Sequence, residues 1–171
     1  EAYLSYYFAP NTHLQGEALG LWFIGPLLPE LLPCGQWKRL GGRILSDELI
    51  RQVRPDGMEY EQSTYYHRYS VDFYMQRAIL GALNGDPLRD EELATVERMV
   101  LATGATLTPA GTMPMLGDAD GGRALRMEEW DANSPAAVFS TASAWFDRGE
   151  FKHAAQRCGG EGRGLGLHAR G

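Results

Sequence analysis

The chain has 171 residues, 44% of them hydrophobic and 11% aromatic, which is enough for one domain with a real core. Its 16 Lys+Arg against 22 Asp+Glu leave a net charge of −6, so no basic nucleic-acid footprint exists, and no Lys/Arg run suits a membrane surface. The longest apolar stretch, Leu19 to Leu28, is broken by Gly20, Gly25 and Pro26 and is too short to cross a bilayer; Cys34 and Cys158 make neither a disulfide framework nor a CxxC metal knuckle.

The periodic segments are helical. Asn11 reads as an N-cap, followed by Leu14, Ala18, Leu21, Trp22 and Gly25 at spacings of three and four, until Pro26, Pro29 and Pro33 end the run. A second helix is predicted from about Gln36 to Val53 on a stripe of Trp37, Leu40, Ile44, Leu45, Leu49 and Val53, and Arg54-Pro55-Asp56-Gly57 stops it. A third runs from near Ser63 to Leu83, with Tyr66, Tyr69, Phe73, Arg77 and Leu80 on one face. A fourth covers Asp90 to Leu101, with Leu93, Val96, Met99 and Val100 inward. A long irregular stretch over 106–135 follows, rich in Pro and Gly, and loops of this length tend to be functional. Within it Leu107 to Met115 is the one strand candidate, interrupted by proline. Helices at Ala136–Phe146 and Glu150–Arg157 complete the pattern, and residues 159–171, with six glycines, read as a flexible tail. The expected fold is therefore all-α, a curved array of antiparallel helix hairpins over residues 1–158.

Three places carry candidate chemistry. Asn11-Thr12-His13 opens the first helix, where N–H donors favour anions, although Asn11 also serves as an ordinary cap. Asp56 to Tyr69 leads into the third helix and crowds Tyr65, Tyr66, His67, Arg68 and Tyr69 beside Glu61, Gln62 and Ser63. An aromatic packing face is the alternative there. Gly117 to Arg123 is acidic and Gly-rich, but its glycines and downstream acid are out of register for a calcium loop, so no metal and no cofactor is expected. A pairing of Asp118 or Asp120 with Arg123 is the simpler reading of that loop.

The ordered motifs N-T-H-L-x-G-E-A-L-G-L (Asn11 to Leu21), a helix bearing Trp37, Q-V-x-x-D-G-x-x-x-E-Q-S-x-x-Y-H-R-Y (Gln52 to Tyr69) and P-M-L-G-D-A-D-G-G-R (Pro114 to Arg123) resemble the heparinase II/III-like polysaccharide lyases. The resemblance covers most of residues 9–157. It implies an incomplete (α/α) toroid and β-elimination on uronic-acid polysaccharides such as heparan sulfate, heparin or alginate. An acidic polysaccharide is then the partner, with no nucleic acid and no membrane.

Such an elimination removes the proton at C5, beside the uronate carboxylate, and expels the 4-O-linked sugar. The carboxylate charge must be neutralised and an acid and a base supplied. By resemblance, Asn11 neutralises the carboxylate, His13 assists, and Tyr66 is the acid and also a candidate base. Arg68, His67, Glu61, Tyr65 and Trp22 are expected to bind substrate or orient donors, with Arg68, His67 and His13 lowering the Tyr66 pKa. The family's β-rich C-terminal region, which supplies a further catalytic residue, is not in these 171 residues. The chain, which opens at Glu1, is thus expected to be a central piece of a larger, periplasmic or secreted lyase and inactive by itself. Two other readings stay open. One is a toroid glycoside hydrolase using Glu61 with Asp118 or Asp120. The other is a non-catalytic carbohydrate-binding piece in which Trp22, Trp37, Tyr60 and Tyr65 stack on sugars.

Overall fold

A computed structural model describes residues 3–31, 33–121 and 134–159. Gly122, Arg123 and His168 lie outside the described residues, as does the expected tail beyond Gly159. Among the described residues six helices follow in order: α1 (Thr12–Leu27), α2 (Cys34–Gln52), α3 (Thr64–Leu83), α4 (Asp90–Ala105), α5 (Ala136–Phe146) and α6 (Gly149–Cys158). Among the described residues no strand forms, and the Leu107–Met115 candidate is an irregular segment. One isolated antiparallel bridge pairs Val53 with Glu59. No helix among the described residues is long and apolar enough to cross a membrane.

Local chemistry explains most boundaries. The Asn11 side chain accepts the His13 N–H and caps α1. Pro26 falls inside the last turn of α1 rather than after it, and the helix stops one residue later, with Leu28 N–H closing on the Ile24 carbonyl. The α2–α3 turn is closed by Arg54 N–H on the Met58 carbonyl and Gly57 N–H on the Arg54 carbonyl. Gly57 has φ +90°, and a β-carbon there would stand 2.4 Å from the Arg98 carbonyl oxygen of α4, so only glycine fits. Ser63 caps α3 by accepting the Tyr66 N–H. Glu92 bonds back to the Arg89 N–H at the start of α4, whose first turn carries Asp90, Glu91 and Glu92 against the helix dipole.

The core forms where α1, α2, α3, α4 and α5 meet, around Trp22, Leu45, Tyr74, Met99 and Phe139. α1 and α2 make a close antiparallel pair. A β-carbon at Gly41 would lie 2.3 Å from the Ala18 carbonyl oxygen and 2.7 Å from the Trp22 nitrogen. Gly41→Ala must therefore push the two backbones apart, and a loss of about 3 kcal/mol of stability is expected in denaturant unfolding. An unchanged midpoint would refute this.

The expected stripe on α3 is corrected by the structure. The helix is buried on several sides, by α1, α4 and α5 together, so Tyr65, His67, Arg68, Val71 and Tyr74 all turn inward. Of the face read from spacing, Phe73 and Arg77 are buried, whereas Tyr66 and Tyr69 are only half-buried. α5 and α6 form a hairpin around Phe139, Phe146 and Phe151, turned by Asp147 at φ +50°.

A candidate carbohydrate site at the start of α1 and α3

Two helix starts and one loop meet at the candidate site. At the first turn of α1, Asn11 Nδ2 donates to Glu61 Oε2 at 3.1 Å and the Thr12 N–H donates to Glu61 Oε1 at 3.1 Å. With its Oδ1 taken by the His13 N–H, the Asn11 amide is held in one orientation, and one further Nδ2 hydrogen is available to a ligand. His13 is exposed on the same turn.

At the start of α3, the chain over 114–118 is clasped to the helix. Thr64 N–H donates to the Leu116 carbonyl at 3.0 Å, Thr64 Oγ1 to the Pro114 carbonyl at 2.7 Å, and Ser63 Oγ to the Asp118 carbonyl at 2.6 Å. This brings the Asp118 carboxylate to the Tyr66 hydroxyl, which donates to Oδ2 across a long 3.4 Å. The Tyr66 pKa is raised above the ordinary phenol value, first by desolvation and then by the carboxylates of Asp118, Asp120 and Glu61. The expectation that Arg68, His67 and His13 would lower it is corrected: the charges felt by the phenol are negative. Glu61 thus ties the start of α1 to the segment that leads into α3, whose first turn bears Tyr66.

Other expected site residues sit elsewhere. His67 is fully buried; its Nδ1 accepts the Glu59 N–H at 3.1 Å, which leaves the proton on Nε2, facing the Met99 carbonyl and Thr103 Oγ1. It ties α3 to α4 and offers no substrate contact. Tyr65 is 2% exposed, and the Arg68 guanidinium lies 4.8 Å over its ring, with Nη1 reaching the Ser134 carbonyl. Neither side chain is laid out on the surface for a sugar. Trp22 is also wholly buried; its indole N–H donates to Asp86 at 2.9 Å under the Arg77 guanidinium. Its place on the apolar stripe of α1, which also suits a sugar-stacking residue, makes it a core residue instead. Trp37 lines a separate open groove of about 530 Å³ with Tyr3, Leu4, Glu17, Leu21, Gln36 and Leu40. Among the described residues no group of three His, Cys, Asp or Glu side chains converges as a metal would need.

Sequence reasoning missed Glu59, which is fully buried. Its Oε2 accepts the Glu61 N–H at 2.8 Å. Burial pushes its pKa up to about 7, and burial pushes that of His67 down to about 4. Glu59 holds its proton more tightly in the fold, so its contribution to stability is full below about pH 4.5 and is lost as pH rises through about 7. His67 holds its proton less tightly in the fold, so its contribution is full above about pH 6.5 and is lost as pH falls through about 4. The two slopes oppose each other between these limits. Glu59→Gln leaves only the His67 slope, and its melting temperature is expected to fall more steeply than the parent's from pH 7 to 4.5. Parallel melting curves for the two would contradict the assignment.

The family model described as Heparinase II/III N-terminus matches residues 1–145. A heparin-sulfate lyase of Pedobacter heparinus is 31% identical over 121 residues, covering 68% of this chain and 18% of that protein. One from Bacteroides stercoris is 28% identical over 118 residues, with the same coverage. The crystal structure of a heparan sulfate lyase HepC mutant from Pedobacter heparinus overlays with a TM-score of 0.67 at 25% identity, over 91% of this chain and 23% of that one. A crystal structure of heparinase III, at 21% identity, shares the fold with a TM-score of 0.71 over 88% of this chain and 23% of its own. The chain therefore spans about a fifth of the length of the relatives it matches. Its helix hairpins correspond to the helical toroid of those structures, and the model match extends over both helix starts that build the site. On this evidence the chain belongs to the heparinase II/III family and carries its N-terminal region.

Proposed function

We propose that this chain forms one wall of the cleft of a polysaccharide lyase that cleaves uronic-acid-containing chains by β-elimination. Asn11, assisted by His13 and the N–H groups at the start of α1, receives the uronate carboxylate. A base takes the C5 proton, the freed electron pair forms the C4–C5 double bond, and the C4–O bond breaks. Tyr66 gives its proton to the departing oxygen. Its raised pKa keeps the phenol protonated, which suits the acid and works against the base. We assign the base to the β-rich region that the family resemblance implies. The observation that carries the reading is the Asn11 amide held by Glu61 from the segment that leads into α3, whose first turn bears Tyr66. The hydrolase alternative is less well supported, because both Glu61 oxygens already accept N–H donors from Asn11 and Thr12.

The test is incubation of the full polypeptide bearing this chain with heparan sulfate, heparin and alginate. New ultraviolet absorbance from the unsaturated uronate is expected to accompany chain cleavage, and the isolated 171-residue chain is expected to give none. Cleavage that yields reducing ends without that absorbance would replace elimination with hydrolysis.

A further inference from the structure

Directly behind the site lies a set of buried polar side chains that the mechanism above does not use. Gln15 and Ser70 are fully buried, Gln52 is 1% exposed and Glu48 is 4% exposed. Ser70 Oγ on α3 donates to Gln15 Oε1 on α1 at 2.6 Å. Gln15 Nε2 donates to Gln52 Oε1 on α2 at 2.5 Å. Gln52 Nε2 donates to the Pro10 carbonyl at 3.0 Å and also to Glu48, whose carboxylate is met by Arg51. Gln52 works through its backbone too, where its carbonyl accepts the Tyr60 N–H at 2.8 Å.

The positions are what give this cluster meaning. Pro10 precedes Asn11, and Tyr60 precedes Glu61. Gln52 thus holds the two segments whose side chains pair in the site. Gln15 lies one helical turn beyond Asn11, and its backbone N–H bonds to the Asn11 carbonyl. Ser70 lies one turn beyond Tyr66. Apolar contacts between helices tolerate small slips, whereas a closed set of directional hydrogen bonds forms in one register only. Buried polar sets of this kind add little net stability over well-packed apolar groups, so their yield is geometric.

We propose that Gln52, with Gln15 and Ser70, is a positioning cluster that sets Asn11 and its partner Glu61 against Tyr66. The proposal rests on reading Asn11 and Tyr66 as the substrate-facing pair. Gln52→Met keeps the side-chain length and removes the amide. In the full polypeptide it is expected to lower kcat about tenfold while KM changes less than about threefold, since small misplacements act on the transition state. Ser70→Ala, which disturbs the core less, is expected to lower kcat in the same direction by about threefold.

A double-mutant cycle separates positioning from general loosening. In an Asn11→Ser background, Gln52→Met is expected to cause little further loss. Full additivity, or an unchanged kcat in both single variants, overturns the proposal even where elimination itself is observed. If the parent polypeptide shows no elimination, the functional reading falls separately, and selective ¹⁵N-asparagine labelling decides the positioning claim. A shifted Asn11 side-chain amide resonance in Gln52→Met upholds it, and an unmoved one overturns it.

Discussion

Tyr66→Phe in the full polypeptide is expected to reduce unsaturated-product formation by about 10²–10⁴-fold, the range for losing a general acid. The substitution removes only the hydroxyl. The half-buried ring keeps its place at the start of α3, and the hydrogen bond lost is a long one to Asp118. Ser63 still caps the helix through the Tyr66 backbone N–H, and the 114–118 clasp does not involve the phenol. Melting temperature should therefore change little while turnover collapses. Because desolvation and then the carboxylates of Asp118, Asp120 and Glu61 raise the phenol pKa, the parent's activity should not fall on the alkaline side through deprotonation of Tyr66 until pH exceeds the ordinary phenol range. Asp118→Asn should bring that limit down. Elimination retained at near-parent rates in Tyr66→Phe would remove Tyr66 from the mechanism.

Much of the scaffold was legible in the residue pattern, because helices with caps and stops are local. α5 has the predicted limits, and α2 begins two residues earlier than expected, where Pro33 serves as its cap. α4 runs four residues beyond Leu101, because Thr103 meets His67 of α3 and Gly104 lies against Phe139 of α5, so packing rather than propensity carries the helix on. The facing of α3 was not legible. Period counting assumes one apolar stripe, whereas a helix enclosed by three neighbours buries residues around most of its surface, Arg68 and His67 among them. The same limit explains Trp22, since an aromatic at helical spacing looks alike whether it packs inward or faces a sugar. Residue type marked the stretches that hold Asn11, Glu61 and Tyr66, but their roles came only through the ordered family motifs. Gln52 entered only as the first letter of one motif, and Gln15 and Ser70 carried no signal, because the meaning of all three is in pairings between distant segments.

The second large effect is expected at Asn11, and here capping must be separated from substrate binding. Asn11→Ala removes both the Oδ1 acceptor for the His13 N–H and the Nδ2 donor, so it should cost about 1 kcal/mol of stability along with activity. Asn11→Ser keeps a good N-cap and removes the amide donor alone. Its stability is expected to stay within about 0.5 kcal/mol of the parent. Its kcat is expected to fall about 10²–10³-fold, the range for losing one donor aimed at developing negative charge. The loss should be concentrated in kcat. As the C5 proton leaves, charge moves onto the carboxylate, and a donor there matters more in the transition state than in the bound ground state. Glu61 sharpens the test. On the proposed reading it shares the amide with the substrate, and its charge is one of those that raise the Tyr66 pKa, so Glu61→Gln should loosen Asn11 and ease the phenol pKa downward together. A loss in Asn11→Ser that appears wholly in KM would make Asn11 a general sugar contact and would take the carboxylate-neutralising role away from the start of α1.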